Sequence, residues 1–261
     1  MKAVRILVKA ANALLSAAAV LFLITAGSYS AYALWDNAQV YSTADNVMSE
    51  LLSLKPTPGA QEDNGASFEE LLAVNGDVCA WLTLDGTRID YPILQGEDNL
   101  SYINTDVYGS FALAGSIFLD SRCDNTFHDT YALVYGHHMD NGRMFGDLDK
   151  YKDGKFFGEN SAGALILPDR SYKLEIFACM LVPAAEGMIF DTHMRQTDIG
   201  GLLDFAEAEA VHLRPDTVEA ARGAESPQIV ALSTCSSEYT DARTIVLAYM
   251  TPYTTETQVG G

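Results

Sequence analysis

An uncharged segment of 26 residues near the N-terminus, from Ala10 to Trp35, restricts the possible folds of this chain more than any other feature. Its centre reads LLSAAAVLFLI, and a helix needs about 20 apolar residues to cross the hydrocarbon core of a bilayer. The segment is therefore predicted to be a transmembrane helix. The cations in front of it predict a cytoplasmic N-terminus, and the aromatic residues toward its end are typical of the outer interface. These residues are Lys2, Arg5 and Lys9, followed by Tyr29, Tyr32 and Trp35.

A cleaved signal peptide is the alternative interpretation of the same segment. Ala31-Tyr32-Ala33 is a small-x-small sequence of the kind that signal peptidases cut, here after Ala33. The apolar stretch from Ala10 to Ala26 is longer than the apolar region of a signal peptide, about 7–15 residues, and this length favours an uncleaved anchor. Both interpretations predict that the rest of the chain is exported.

The charge balance and composition exclude several classes of protein. Asp and Glu total 35 against 16 Lys and Arg, which gives a formal net charge of −19. Phosphate binding needs clustered cations, so nucleic acid is excluded as the main partner. The hydrophobic content of 48% excludes a disordered chain, and four cysteines are too few for a disulfide scaffold in 261 residues.

The first part of the exported chain has helical patterning. Apolar residues recur with helical periodicity from Val40 to Leu54, and the prolines that follow are expected to end this helix. The polar stretch from Pro56 to Ala66 is predicted to be a linker. A capping box at Ser67-Phe-Glu-Glu70 then predicts a short helix that ends near Val74.

Short β-like segments separated by turn residues occupy most of the remaining chain. Many short strands in about 180 residues favour a closed barrel or a sandwich over a doubly wound sheet. One helix interrupts them, with an apolar stripe between Asp198 and Val211. The predicted strands are Val78–Leu84, Ile89–Leu94, Ser116–Leu119, Tyr131–Tyr135, Ala164–Leu167, Tyr172–Val182, Gln228–Thr234 and Thr244–Tyr249.

Three residues near strand ends have side chains suited to acyl transfer. Cys235 ends one apolar strand, Arg243 opens the next, and His137 follows an earlier strand after a glycine. A thiolate is a strong nucleophile, an imidazole can protonate a leaving amine, and a guanidinium can bind an oxyanion. If the three meet at one rim of a barrel, they predict chemistry through a thioester.

Each of these residues also has an ordinary structural interpretation, as a buried thiol, a turn histidine or a solvated charge. A metal site is a further alternative, but cysteines at positions 79, 123, 179 and 235 form no C-x-x-C pair, so the zinc pattern is absent. The adjacent His137 and His138 would point to opposite faces of an extended segment, which suits a single catalytic imidazole better than two ligands. Cys79 and Cys179 are predicted to be core residues, and Cys123 lies in a polar loop.

Several segments resemble the class B sortases, a family of membrane-anchored cysteine transpeptidases. Tyr135-Gly-His-His-Met-Asp-Asn-Gly-Arg-Met-Phe-Gly-Asp-Leu148 resembles their catalytic-histidine segment. Leu232-Ser-Thr-Cys235 followed by Arg243 resembles their cysteine and arginine motif. Trp81-Leu-Thr-Leu-Asp-Gly-Thr-Arg-Ile-Asp-Tyr-Pro92 and Ala114-Gly-Ser-Ile-Phe-Leu-Asp120 are similar to early strands of the family. Ala231 stands where the family often has threonine, a difference that concerns local packing.

The resemblance covers roughly Phe68 to Tyr253 and implies a mainly β fold. This fold is a closed eight-stranded barrel with N-terminal helices and one inserted helix, preceded by a transmembrane helix. No metal or organic cofactor is implied. The expected organisation is a cytoplasmic tail at 1–9, a signal-anchor helix at 10–35, a helical stalk and linker at 36–66, an extracellular catalytic domain at 67–255 and a C-terminal tail at 256–261.

The resemblance also implies a reaction. Cys235 would attack a Thr carbonyl in the C-terminal sorting signal of a secreted protein, for which an Asn-Pro-x-Thr type is expected. His137, favoured over His138 by its place in the motif, would be the general acid and base, and Arg243 would stabilise the oxyanion. Ser233 and Thr234 are expected to line the substrate site. An amine from a peptidoglycan precursor or cross-bridge would then resolve the thioester.

Three alternatives remain open at this point. In a pilin-polymerising sortase the accepted amine would be a Lys of another subunit. In an inactive anchored module the barrel would bind sorting signals without cleaving them, although the Cys, His and Arg set argues against this. A plain cysteine protease is disfavoured because the sequence around Cys235 lacks a papain-like flank.

Overall fold

The computed structural model of the chain describes residues 2–58, 61–235 and 242–253, and for Cys235 it describes the backbone and not the side chain. The chain forms two compact units, 1–46 and 47–261. Helix α1 runs without a break from Lys2 to Leu51, and a single 3-10 turn follows at Leu52–Leu54. Its apolar part is long enough to cross a membrane and is not buried within the protein, so α1 is a candidate membrane span.

Helix α2 spans Gln61–Val74, six residues more at its start than the sequence predicts. The linker is therefore shorter than Pro56–Ala66, and the prediction that Ser67 caps the helix is wrong because Ser67 lies inside it. No proline follows Pro58 in this stretch, and Gln, Glu and Ala are good helix formers. Phe68 and Leu71 are fully buried against the barrel, and such packing supplies most of the stability of a short helix.

The rest of the molecule is a closed eight-stranded barrel, which confirms the predicted fold class. Around the barrel the strands follow the order β5-β1-β2-β3-β4-β8-β9-β6, and β6 pairs with β5 to close the ring. Two neighbouring pairs are parallel, β2 with β3 and β4 with β8. The strands are β1 Val78–Leu84, β2 Asp90–Leu94, β3 Ile117–Leu119, β4 Tyr131–His137, β5 Ala162–Ile166, β6 Ser171–Pro183, β7 His212–Leu213, β8 Gln228–Cys235 and β9 Ala242–Pro252.

All eight predicted strands are present, and the two-residue β7 is an addition at the edge of β6. The inserted helix predicted for 198–211 is present as α6, Ile199–Glu209. Four shorter helices were not predicted because they are too short to show a periodic pattern. The start of α7, Pro215–Gly223, was predictable from the sequence, because proline is favoured at the first position of a helix. These helices are α3 Gly154–Glu159, α4 Gly187–Phe190, α5 Thr192–Arg195, α6 Ile199–Glu209 and α7 Pro215–Gly223, with 3-10 helices at Asp140–Gly142 and Gly146–Lys152.

Candidate active site

The three residues predicted to carry chemistry come from three adjacent strands at one end of the barrel. His137 is the last residue of β4 and Cys235 is the last residue of β8, and their Cα atoms are partners in the parallel pair. In the antiparallel pair of β8 and β9, Ser233 is the partner of Ile245. Arg243 is two residues before Ile245 on β9, and β8 lies between β4 and β9 in the sheet. The backbone therefore places Cys235 between the other two.

The apolar sequences of β4 and β8 account for this arrangement. Leu133, Val134, Val230 and Leu232 are all fully buried in the middle of the two strands. Parallel strands with continuous apolar runs are covered on both faces, so the polar residues of the sequence collect where the strands end. A nucleophile candidate, a base candidate and a cation are brought to the same rim by this pattern.

Thr234, the residue before Cys235, holds Arg243 next to the end of β8. Nη1 of Arg243 donates to the carbonyl oxygen of Thr234 at 3.3 Å. The amide of Thr244 donates to Oγ1 of Thr234, also at 3.3 Å. Thr234 therefore fixes the start of β9 against the end of β8.

Ser233 and Thr234, the predicted substrate-lining residues, are 0% and 2% exposed. The Oγ of Ser233 contacts the carbonyl oxygen of Thr234 at 3.4 Å. Ser233 thus contacts the same carbonyl of Thr234 that accepts from Arg243. The predicted role of Ser233 and Thr234 in lining the substrate site stays a prediction.

The imidazole of His137 is oriented by a loop that the sequence motifs did not indicate. Its Nε2 lies 2.7 Å from the carbonyl oxygen of Ile103, in the segment between β2 and β3. A carbonyl oxygen only accepts hydrogen bonds, so Nε2 carries the proton in this contact. The backbone carbonyl of His137 in turn accepts from the amide of Phe145 at 2.9 Å. Since Ile103 is 34 residues earlier in the chain, no local sequence pattern could have assigned it to the site.

The glycines around His137 are required by close packing. A Cβ atom on Gly136 would lie 2.7 Å from Cγ of Phe145 and would also overlap the side chain of Ile117. A Cβ atom on Gly146 would overlap the carbonyl of Met139. The Gly-His-His…Phe-Gly pattern thus folds the segment after β4 back against the strand, which fixes the backbone of His137.

A second polar network joins the neighbours of two of these residues, His137 and Arg243. Asp149 accepts from Oγ1 of Thr244 at 2.7 Å and contacts Nε2 of His138 at 3.1 Å. Nζ of Lys152 lies 2.6 Å from the same carboxylate. Burial alone would raise the pKa of Asp149, but the hydrogen bonds from Lys152 and Thr244 outweigh it and lower the pKa. His137 and His138 therefore have separate partners, and no sequence motif indicated the contacts of Asp149 with His138 and Thr244.

The other three cysteines are free and buried. Burial raises the pKa of the thiols of Cys79, Cys123 and Cys179 to about 12 in each case, so they are protonated and unreactive at neutral pH. The prediction that Cys79 and Cys179 are core residues is confirmed. Cys123, expected in a polar loop, lies in a turn but is only 6% exposed, with its Sγ against the carbonyl of Tyr131.

Comparison with known proteins identifies the fold and the family. No protein-family model matches the chain. Sortase B of Listeria monocytogenes is 30% identical over 205 residues, which cover 78% of this chain and 81% of the relative. A solved structure of a Streptococcus pyogenes class B sortase involved in pilus biogenesis is 39% identical, with a TM-score of 0.63 and coverage of 72% of this chain and 99% of that one.

A mutant form of sortase B from Clostridium perfringens is 28% identical, with a TM-score of 0.68, and covers 78% of this chain and 96% of its own. The closed barrel with its inserted helix is thus the architecture of the sortases. The chain belongs to the sortase B family of transpeptidases.

Proposed function

We propose that this chain attaches secreted proteins to the cell wall by cleaving their C-terminal sorting signals and transferring the new C-terminus to an amine. The thiolate of Cys235 attacks the carbonyl carbon of a Thr residue and forms a tetrahedral oxyanion, which Arg243 stabilises. His137 protonates the leaving amine as the peptide bond breaks, and a thioester remains on Cys235. An amine of a peptidoglycan precursor or cross-bridge then attacks the thioester, His137 takes its proton, and the thiolate is released.

The pairing of His137 with Cys235 across β4 and β8 is the observation that carries this proposal. Residues paired across neighbouring strands share a face of a sheet, so the pairing supports proton exchange between the two. The contact of Arg243 with the carbonyl of Thr234 supports a cation beside the same position. The buried, protonated state of the other three cysteines leaves Cys235 as the candidate nucleophile of the chain.

The membrane location is part of the same proposal. Helix α1 is a candidate span, and Lys2, Arg5 and Lys9 at its start favour a cytoplasmic N-terminus. This orientation would keep the barrel on the outer face of the membrane, where sorting signals and peptidoglycan precursors meet.

A peptide-cleavage assay tests the proposal. The chain from residue 36 onward is incubated with a panel of fluorogenic peptides, among them the Asn-Pro-x-Thr type, with and without an amine such as triglycine. We expect cleavage after Thr, and in the presence of the amine we expect a conjugate in place of the hydrolysis product.

The Cys235→Ala variant should lose all cleavage, whereas the matched Cys123→Ala variant should retain it. An acyl adduct on the unmodified enzyme, detected by intact-mass measurement, would show the thioester directly. Cleavage that persists in Cys235→Ala would contradict the assignment of the nucleophile. If no peptide is cleaved and no adduct forms, the inactive binding-module alternative becomes the better explanation.

Polymerisation of pilins is a second candidate function, supported by one specific observation. The solved relative that is 39% identical to this chain is a class B sortase involved in pilus biogenesis. The two functions differ only in the amine that resolves the thioester. Competition between a Lys-containing pilin peptide and a peptidoglycan stem peptide in the same assay would separate them by the mass of the conjugate.

A further inference from the structure

We propose that Gly115 is a positioning residue for His137, because it holds the carbonyl of Ile103 where it fixes the tautomer of the imidazole. In the neutral ring so held, the proton lies on Nε2 and Nδ1 is unprotonated. The imidazole of His137 is therefore oriented by a backbone carbonyl, and the position of that carbonyl depends on a glycine.

The contact with Ile103 determines the tautomer. At 2.7 Å, Nε2 of His137 is within hydrogen-bond distance of the Ile103 carbonyl oxygen. The carbonyl oxygen cannot donate, so a ring with its only proton on Nδ1 would lose this bond and place two lone pairs against each other. Which nitrogen carries the proton is commonly decided by such a partner at the other nitrogen.

Gly115 determines where the Ile103 carbonyl lies. It has φ +57°, in the left-handed region that favours glycine, and its amide donates to the carbonyl of Ala112 at 2.9 Å. A Cβ atom here would overlap the carbonyl oxygen of Ile103 and lie 2.7 Å from that of Tyr102. The close approach of the two backbone segments is possible only without a side chain at this position.

Ser116 ties the same two segments together from the next position. Its amide donates to the carbonyl of Tyr102 at 3.0 Å, and its Oγ donates to the carbonyl of Thr105 at 2.8 Å. Tyr102 and Thr105, which lie on either side of Ile103, are thus hydrogen-bonded to the residue directly before β3. This gives a structural reason for the Gly-Ser pair in the Ala114–Asp120 segment.

The effect on turnover rests on the proposed function, whereas the tautomer does not. If His137 exchanges protons with the reacting groups, it must present an unprotonated Nδ1 when it acts as a base. A ring that alternates between tautomers carries its proton on Nδ1 for part of the time, and in that state Nδ1 cannot accept a proton. Displacement of a catalytic group by about 1 Å can cost roughly 100-fold in rate.

The test compares Gly115→Ala with Gly109→Ala in the full chain in detergent micelles. Gly109 is a matched control because it lies in the same loop, has φ +76° and closes a similar turn through its amide and the carbonyl of Asp106 at 3.0 Å. A Cβ atom on Gly109 meets nothing within 4 Å. Both variants place an alanine at a positive φ, and only Gly115→Ala brings a Cβ atom against the Ile103 carbonyl.

The tautomer is read from the nitrogen chemical shifts of histidine labelled with ¹⁵N, with the His137 signals assigned by their loss in His137→Gln. We expect the Nε2-protonated form in the unmodified chain and in Gly109→Ala, and a shift toward the other tautomer in Gly115→Ala. In the peptide assay kcat of Gly115→Ala should fall about 10- to 100-fold, with KM changed far less.

An unchanged tautomer in folded Gly115→Ala would overturn the proposal, and so would a fall in kcat of equal size in Gly109→Ala. If Gly115→Ala does not fold, Ser116→Ala, which adds no backbone strain, provides the same test and should show a smaller shift in the same direction; no shift in that variant would also overturn the proposal. A shifted tautomer in a chain that cleaves no peptide would uphold the positioning role and count against the proposed function instead.

Discussion

At the scale of single residues, the four cysteines of the chain differ in their position in the fold. Cys79, Cys123 and Cys179 are buried, and the raised pKa of each thiol is caused mainly by loss of solvent. Cys235 lies at a strand end, with Arg243 bonded to the carbonyl of the residue before it. The chemistry of the side chain is the same in all four cases, and the position in the fold distinguishes them.

This difference predicts selective alkylation. A buried thiol with a pKa of about 12 is almost entirely protonated at pH 8 and reacts slowly, so at this pH iodoacetamide should modify the native chain once, at Cys235. Intact-mass measurement should show one adduct in the unmodified chain and none in Cys235→Ala. In denaturant the numbers should rise to four and three. A native Cys235→Ala chain that is alkylated as fast as the unmodified chain would contradict the prediction.

At the scale of elements, three chain segments meet at Asp149. Its carboxylate contacts Thr244 on β9, His138 after β4, and Lys152 in its own 3-10 helix. Each of the first two residues is the neighbour of a proposed catalytic residue. The network therefore fixes the relative positions of β4 and β9 through the 3-10 helix that carries Asp149.

The lowered pKa of Asp149 predicts a pH-dependent contribution to stability. A carboxyl whose pKa is lower in the folded chain stabilises the fold at pH values above its unfolded pKa, about 4, and this contribution is lost as the pH falls through the native value. Asp149→Asn should therefore lower the free energy of unfolding more at pH 7 than at pH 3, as measured by urea denaturation. Equal losses at the two pH values would contradict this.

Two further variants complete that experiment. Asp204→Asn removes an exposed carboxylate that pairs with Arg222, and such surface pairs contribute little, so it should change stability only slightly at either pH. Thr244→Val should reproduce part of the loss in Asp149→Asn, whereas Thr244→Ser keeps the hydroxyl and should retain most of the stability.

At the scale of the whole molecule, the pairing of β5 with β6 closes the barrel. Gly163 of β5 is the partner of Leu84 on β1 and of Leu174 on β6. A Cβ atom there would lie 2.6 Å from the carbonyl oxygen of Thr83 and 2.8 Å from Cδ2 of Leu84. The closure thus depends on a residue without a side chain.

Gly163→Ala is therefore expected to lower the free energy of unfolding by about 1–3 kcal/mol, as overpacking of a tight interior does. Gly158→Ala in α3 is the matched control, since a Cβ atom there meets nothing within 4 Å and alanine favours a helix. Urea denaturation of both variants in detergent measures the difference. If Gly163→Ala is as stable as Gly158→Ala, close packing at this point does not limit closure.

The sequence predicted most of the barrel, because its strands are short apolar runs separated by turn residues. It predicted β1 to the residue, whereas β4 continues two residues beyond its prediction to include His137. The start of α2 was misplaced because the capping box at Ser67 was taken as the beginning of the helix, whereas the six residues before it are helical as well. Short helices such as α4 were missed because four residues show no period.

Local sequence by itself determined the apolar N-terminal helix, the strand pattern and the motifs around His137, Cys235 and Arg243, since these depend on residues close together in the chain. Only the tertiary structure decided that β4 lies parallel to β8, that Ile103 holds His137, and that Asp149 joins β4 to β9. These contacts join residues that are distant in sequence. They arise when the barrel closes, because closure brings unrelated backbone carbonyls and side chains within hydrogen-bond distance.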